Sequence, residues 1–146
     1  MQILSIIYRF AVTFWVGGAA IFTFVLTPII FKANDRDTAG RIVGTLFPGY
    51  FKWGLACGAV ALLSMLLIRG KNFVPILLIL ILMLTLTSFQ AFFVEPRAAL
   101  LKKEIPSFVT TPKEDPLRRE FSRLHGISAV CNLSVIVGGV VLIILL

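Results

Sequence analysis

Four long apolar stretches alternate with short polar ones along the chain. They cover residues of about 10–31, 50–68, 73–94 and 121–146. Each is close to the ~20 residues that carry a helix across a hydrocarbon core of roughly 30 Å. None carries Asp, Glu, Lys or Arg in its middle. The pattern predicts an all-α integral membrane protein, a four-helix antiparallel bundle forming one domain over residues 1–146. The first stretch begins like a signal peptide, but its apolar core is too long and no small-x-small site comes after it. It is expected to stay as a helix.

The polar stretches supply the punctuation. Residues 32–38 read as a turn, with Asp35 or Asp37 as the N-cap of the next helix. Residues 38–47 read as that helix, short, amphipathic and lying on the membrane surface, broken by Pro48-Gly49. Arg69, Gly70, Lys71 and Asn72 make a tight hairpin. Pro28 and Pro96 are expected to kink or end the first and third helices. Residues 98–114, basic and containing Pro106 and Pro112, read as the longest loop. Asp115 followed by Pro116 is an N-cap with a first-turn proline, which opens the fourth helix. The plan is two successive hairpins without a convincing internal repeat.

Composition narrows the class. The chain is 58% hydrophobic and 14% charged, against roughly 45–50% and about 25% in soluble domains. That excludes an ordinary soluble enzyme, a disordered chain and a disulfide-stapled secreted domain. Cys57 and Cys131 fall inside apolar stretches and read as packing residues, with no metal site implied. The net charge of +7 would suggest nucleic acid in a soluble protein. Here it changes the topology instead. Eleven Lys and Arg residues fall in the segments 32–52 and 97–123, and three, Arg9, Arg69 and Lys71, at the other side. The positive-inside rule puts the loops 32–49 and 97–118 in the cytoplasm and both termini outside. The expected setting is a bacterial inner membrane, with the lipid bilayer as partner and no nucleic acid. Gly54 and Gly58, spaced for close helix contact, and the Leu-rich face of the third helix offer surfaces for a homo-oligomer or a larger membrane complex. The glycines serve internal packing equally well.

Candidate chemistry gathers toward the cytoplasmic half. The fourth helix carries His125, Ser128 and Asn132 at i, i+3 and i+7, on one face. His125 is the single histidine. Such a group suits a proton shuttle, an axial haem ligand or an anion contact. The plainer reading is an interfacial histidine beside a hydrogen-bonded helix seam. Thr87 and Gln90 face this set from the third helix, Glu95 and Arg97 flank Pro96, and Arg41 and Tyr50 reach the same level. Thr23, Thr27, Thr85 and Ser88 lie in the same half, while the outer ends of the third and fourth helices are almost bare. This asymmetry predicts a polar pocket open to the cytoplasm, made from His125, Asn132, Ser128, Gln90, Arg97, Glu95, Arg41 and Tyr50. The lack of an ionisable residue near the midplane argues against an ion-coupled pump. Three functions fit the pattern: a protein that binds or helps to transport a small molecule or ion, an accessory subunit of a larger complex, or a haem- or porphyrin-handling oxidoreductase using His125.

Several short motifs have a family likeness. Phe14, Trp15, Val16, Gly17 and Gly18 are followed by Phe24 to Pro28, Phe31, the pair Ala39 and Gly40, and Leu46, Phe47, Pro48, Gly49 and Tyr50. The last helix adds Phe121, Leu124, His125, Ser128 and Asn132. Together they resemble the transmembrane-protein-205-like family, a four-span membrane domain of unknown function whose eukaryotic member is associated with resistance to platinum drugs. The layout is also similar to copper-resistance D-type proteins and to the membrane-bound protoporphyrinogen oxidase of bacteria. Their richer histidine pattern is missing from this chain, so neither metal nor haem binding carries over.

Overall fold

The computed structural model describes residues 2–145, so Leu146, the expected last residue of the fourth helix, lies outside the described residues. The described chain forms four helical rods and no strand. The first joins α1 (Gln2–Ile21), a π turn (Phe22–Leu26) and α2 (Thr27–Ala33). The second is α3 (Arg36–Ile68). The third joins α4 (Phe73–Phe89), a second π turn (Gln90–Val94) and α5 (Glu95–Glu104). The fourth is α6 (Pro116–Ile144). All four rods are long and apolar enough to cross a membrane. α1 packs on α3 and α6, and α4 packs on the same two, which gives a bundle in which chain neighbours are spatial neighbours.

The outside of the bundle is apolar. Phe14, Phe24, Leu67, Val74, Phe92, Phe93, Val130 and Val137 are each more than half exposed. Water would penalise such a belt, and hydrocarbon does not. The core is correspondingly narrow, with Tyr8, Val12, Trp15, Leu80, Met83, Val135 and Leu142 in it. Because lipid tails are as apolar as leucine, burial does little to hold these helices together. Close packing and hydrogen bonds do that work. Glycines permit the close packing. A Cβ on Gly58 would stand 2.5 Å from Leu84 Cδ2 and 2.7 Å from Trp15 Cζ3, and one on Gly54 2.9 Å from Trp15 Nε1. The Gly54–Gly58 face of α3 is therefore filled from within the chain.

The rod ends obey local rules. Asp35 caps α3, its carboxylate accepting the Thr38 N–H at 3.0 Å. Hydrogen bonds from Thr38 hold the Asp35 carboxyl below its ordinary range. The cap's contribution is thus present above the ordinary carboxylate pKa and lost as pH falls through the lowered value. Asp115 caps α6 by accepting the Leu117 and Arg118 N–H groups at 3.0 and 3.3 Å. Arg69 closes α3 in the left-handed conformation, φ 46° and ψ 49°.

Three features differ from the sequence expectation. α1 starts at Gln2 rather than near residue 10, because Tyr8 already lies in the core. The expected surface helix at 38–47 is present as the first turns of α3, which runs unbroken through Pro48. Pro48 has no N–H for the carbonyl of Gly44. Lys102 crosses from α5 to cover this turn, its ammonium donating to the Gly40 carbonyl and standing 3.1 Å from where a Gly44 Cβ would be. Finally, the segment expected as a loop from residue 98 is helical through Glu104, so the loop spans 105–115.

Pro96 does not end the third rod because the π turn absorbs it. The Glu95 N–H bonds back five residues to Gln90 O, and the next α-helix begins with its proline where no helical donor is needed. The same device precedes Pro28, where the Thr27 N–H bonds to Phe22 O. The first and third rods thus share an element, although the sequence shows no convincing internal repeat.

Candidate functional site

Each π turn delivers one polar side chain toward α6. The first supplies Thr23 and the second supplies Gln90, which is buried. Asn132 of α6 donates from Nδ2 to Thr23 Oγ1 at 2.6 Å and accepts at Oδ1 from the Tyr50 hydroxyl of α3. One turn away, Ser128 donates to Gln90 Oε1 at 3.0 Å, and Gln90 Nε2 donates to Leu86 O at 3.4 Å. α6 is stitched to the other three rods by these two links. Tyr50 is held in place by stacking on Phe22, with ring centroids 4.5 Å apart. A void of about 10 Å³ lies among Trp15, Tyr50, Thr87, Gln90 and Asn132. That is close to the smallest space that holds one water.

A cleft of about 460 Å³ opens between α3, α5 and α6. Its walls are Phe47, Phe51, Val94, Ala98, Phe121 and Leu124. Arg41, Glu95, Lys102, Lys103 and His125 bring charge or polarity to it. Ser128 lines it too, so the Ser128–Gln90 link joins the cleft to the inner void.

The eight residues expected to form one pocket divide three ways. Arg41, Glu95, His125 and Ser128 line the cleft. Tyr50, Gln90 and Asn132 line the inner void. Arg97 stands apart, 66% exposed and paired with Glu120 at 2.5 Å. Glu95, across Pro96, projects elsewhere because residues two apart on a helix point about 200° apart. His125 shares a helix face with Ser128 and Asn132 but does not join their hydrogen bonds. It is exposed, and its ring stacks on Phe121 with centroids 6.4 Å apart.

Lys102 and Lys103 were not among the expected site residues, because their segment reads as loop. Once residues 95–104 are a helix, Glu95, Ala98, Ala99 and Lys102 fall at i, i+3, i+4 and i+7, one face turned to the cleft. The alternation of charge with two alanines was the available signal. Cys57 and Cys131 are free and buried.

Replacing Asn132 by alanine is expected to cost about 0.5–2 kcal/mol, the range of interhelical hydrogen bonds in membranes. It leaves both Tyr50 and Thr23 without their partner. Thermal unfolding in a mild detergent measures this. The double variant Asn132→Ala with Tyr50→Phe should lose less than the sum of the two single losses. Strict additivity would show that the two side chains are not coupled.

An uncharacterized protein of Aquifex aeolicus (strain VF5) is 30% identical over 126 residues, covering 85% of this chain and 82% of that one. No solved structure matches the chain. Residues 10–107, from α1 to the end of α5 and the start of the loop beyond it, match the family described as Domain of unknown function (DUF4149). The match includes both π turns, Tyr50 and most of the cleft's basic side chains, and on its strength the chain belongs to the DUF4149 family.

Proposed function

We propose that this protein is a small integral membrane protein that binds, or helps to transport, a small molecule in the cleft between α3, α5 and α6. The observation that carries the reading is the continuity of an apolar-walled cleft of about 460 Å³ with a buried polar network through Ser128. Concave, mostly apolar sites with a few convergent polar groups are the usual form of small-molecule sites. The excess of basic residues at this end supports a cytoplasmic opening with both termini outside, in a bacterial inner membrane. The motif residues from Phe14 to Tyr50, with His125 and Asn132, support kinship with the transmembrane-protein-205-like family.

Native mass spectrometry of the gently extracted protein tests the reading. A retained small molecule is expected, with its occupancy reduced in His125→Ala while thermal unfolding is unchanged. A bare protein, or occupancy indifferent to changes in the cleft, overturns it. Stable recovery with a protein partner or as a larger assembly of itself instead supports an accessory subunit. A second reading, porphyrin binding, draws on one observation: His125 lines an apolar cleft and its ring nitrogens have no hydrogen bond among the described residues. An absorption spectrum of the same sample, with and without added haem, decides it by the presence or absence of a Soret band.

A further inference from the structure

We infer that the cleft takes a single-chain amphipathic acid, its apolar tail lying among Phe47, Phe51, Ala98 and Phe121 and its acidic head group meeting the ammonium of Lys102. The inference rests on the reading of the cleft as a ligand site and adds the class of ligand.

Charge and wall chemistry carry it together. Three cations, Arg41, Lys102 and Lys103, line the cleft against one carboxylate, Glu95, and the rest of the lining is mainly aromatic and aliphatic. Lys102 is the cation held farthest in. It is half-buried, and it crosses to α3 where Gly40 and Gly44 leave room, its Nζ standing 3.2 and 3.1 Å from the positions their Cβ atoms would take. Its hydrogen bond goes to the Gly40 carbonyl, a neutral acceptor. An ammonium has three donors. Among the described residues the ion pair within 4 Å is Arg97–Glu120, so no carboxylate closes on Lys102. Glu95 and Asp37 act on this charge through space, but neither carboxylate comes within 4 Å of it, and a half-buried ammonium without a direct ion-pair partner favours an anion at that place.

The shape selects the rest of the ligand. An inorganic anion would leave the aromatic walls unfilled. A neutral lipid would leave the ammonium without a direct ion-pair partner. A cationic amphiphile would meet like charge. A site of about 460 Å³ is in the range of ligands of drug size, which suits one tail better than two. Arg41 and Lys103 are exposed on the same cleft and draw the anion toward it.

The test uses the whole protein in phosphatidylcholine nanodiscs, photolabelled with a diazirine-bearing palmitic acid and, separately, with the matching alcohol. Mass spectrometry then maps the labelled peptides. The acid is expected to label peptides containing Phe47, Phe51 and Phe121 about tenfold more than the alcohol, as befits loss of one charge-paired contact. Unlabelled palmitate should compete and methyl palmitate should not. Lys102→Met should lower acid labelling by about tenfold, with partial recovery in Lys102→Arg. Ala98→Trp, which fills the cleft, should abolish labelling. Equal labelling by acid and alcohol, both removed by Ala98→Trp, overturns the acid head group while keeping the cleft as a ligand site. Labelling indifferent to Ala98→Trp overturns the ligand site itself. The competition on the unmodified protein decides the head-group question even where a variant fails to fold.

Discussion

Gly58→Leu is expected to prevent the bundle from assembling. Even a methyl group here must displace something, since a Cβ would lie 2.5 Å from Leu84 Cδ2 and 2.7 and 2.8 Å from the Trp15 ring. Leu84 ends in a movable methyl. Trp15 is 3% exposed, and Gly54 touches the other end of its indole, where a Cβ would come within 2.9 Å of Nε1. The ring is wedged between α1 and two glycines of α3, so it has nowhere to retreat. Overpacking of a fixed core costs about 1–3 kcal/mol for a small insertion, the range expected for Gly58→Ala. Leucine adds three more carbons at the same place and should exceed it. Fluorescence size-exclusion profiles and thermal unfolding in mild detergent read the result. Gly49→Ala is the control in the same helix, because nothing lies within 4 Å of its Cβ position. It should be neutral or slightly stabilising, given alanine's higher helix propensity. A Gly58→Leu protein that elutes and melts like the parent would mean that α1, α3 and α4 do not pack as described.

Asp37→Ala is expected to release the loop at 105–115 while leaving the bundle standing. The Asp37 carboxylate accepts the Ser107 hydroxyl at 2.5 Å and the Phe108 N–H at 2.6 Å. Arg118, 7% exposed, completes the anchor by donating to the Thr111 carbonyl and lying 5.9 Å over the Phe108 ring. Hydrogen bonds to a charged group contribute roughly 1.5–3 kcal/mol when protected from water. Asp37 is only half-buried, so about 2 kcal/mol for the pair is the realistic figure after allowing for solvent screening. Hydrogen exchange should then show loop protection falling by about thirtyfold, while the four rods keep theirs. Asp37→Asn retains one acceptor oxygen and should lose less. Asp35→Ala disturbs the α3 cap and not the loop. Exchange in the loop that is the same in Asp37→Ala and the parent would remove Asp37 as its anchor. The loop also bears on the cleft, since Phe108 packs on the wall residue Phe121 with ring centroids 4.8 Å apart.

Two kinds of information separate in this protein. Local spacing was enough for the four rods, the Asp115 cap, the choice of Asp35 or Asp37 as the α3 cap, the hairpin after Arg69 and the shared face of Ser128 and Asn132. Length, capping chemistry and helical periodicity act over a few residues and are written into the order of the amino acids. The pairing of the helices is another matter. The stretch of α4 from Phe73 to Leu84 is apolar all round, yet Ile76, Leu80 and Met83 are buried while Leu78, Ile81 and Leu82 face outward. Hydrophobicity cannot distinguish these two sets, because lipid and core accept leucine alike.

The same holds for the prolines and the site. Pro48 reads as a break and Pro96 as an end or kink, yet α3 runs through the first and the third rod continues past the second. Lys102 covers the turn before the first, and a π turn whose Gln90 is tied to Ser128 precedes the second. Gly54 and Gly58 allowed an outward or an inward contact until Trp15 filled them. The division of the expected pocket residues into cleft, inner void and the solvated Arg97–Glu120 pair depends on which rods stand opposite them. Contacts within one helix turn are set by covalent order. Contacts across a helix interface are set by steric fit and hydrogen bonding between partners distant in the chain, and only their packing brings those terms into being.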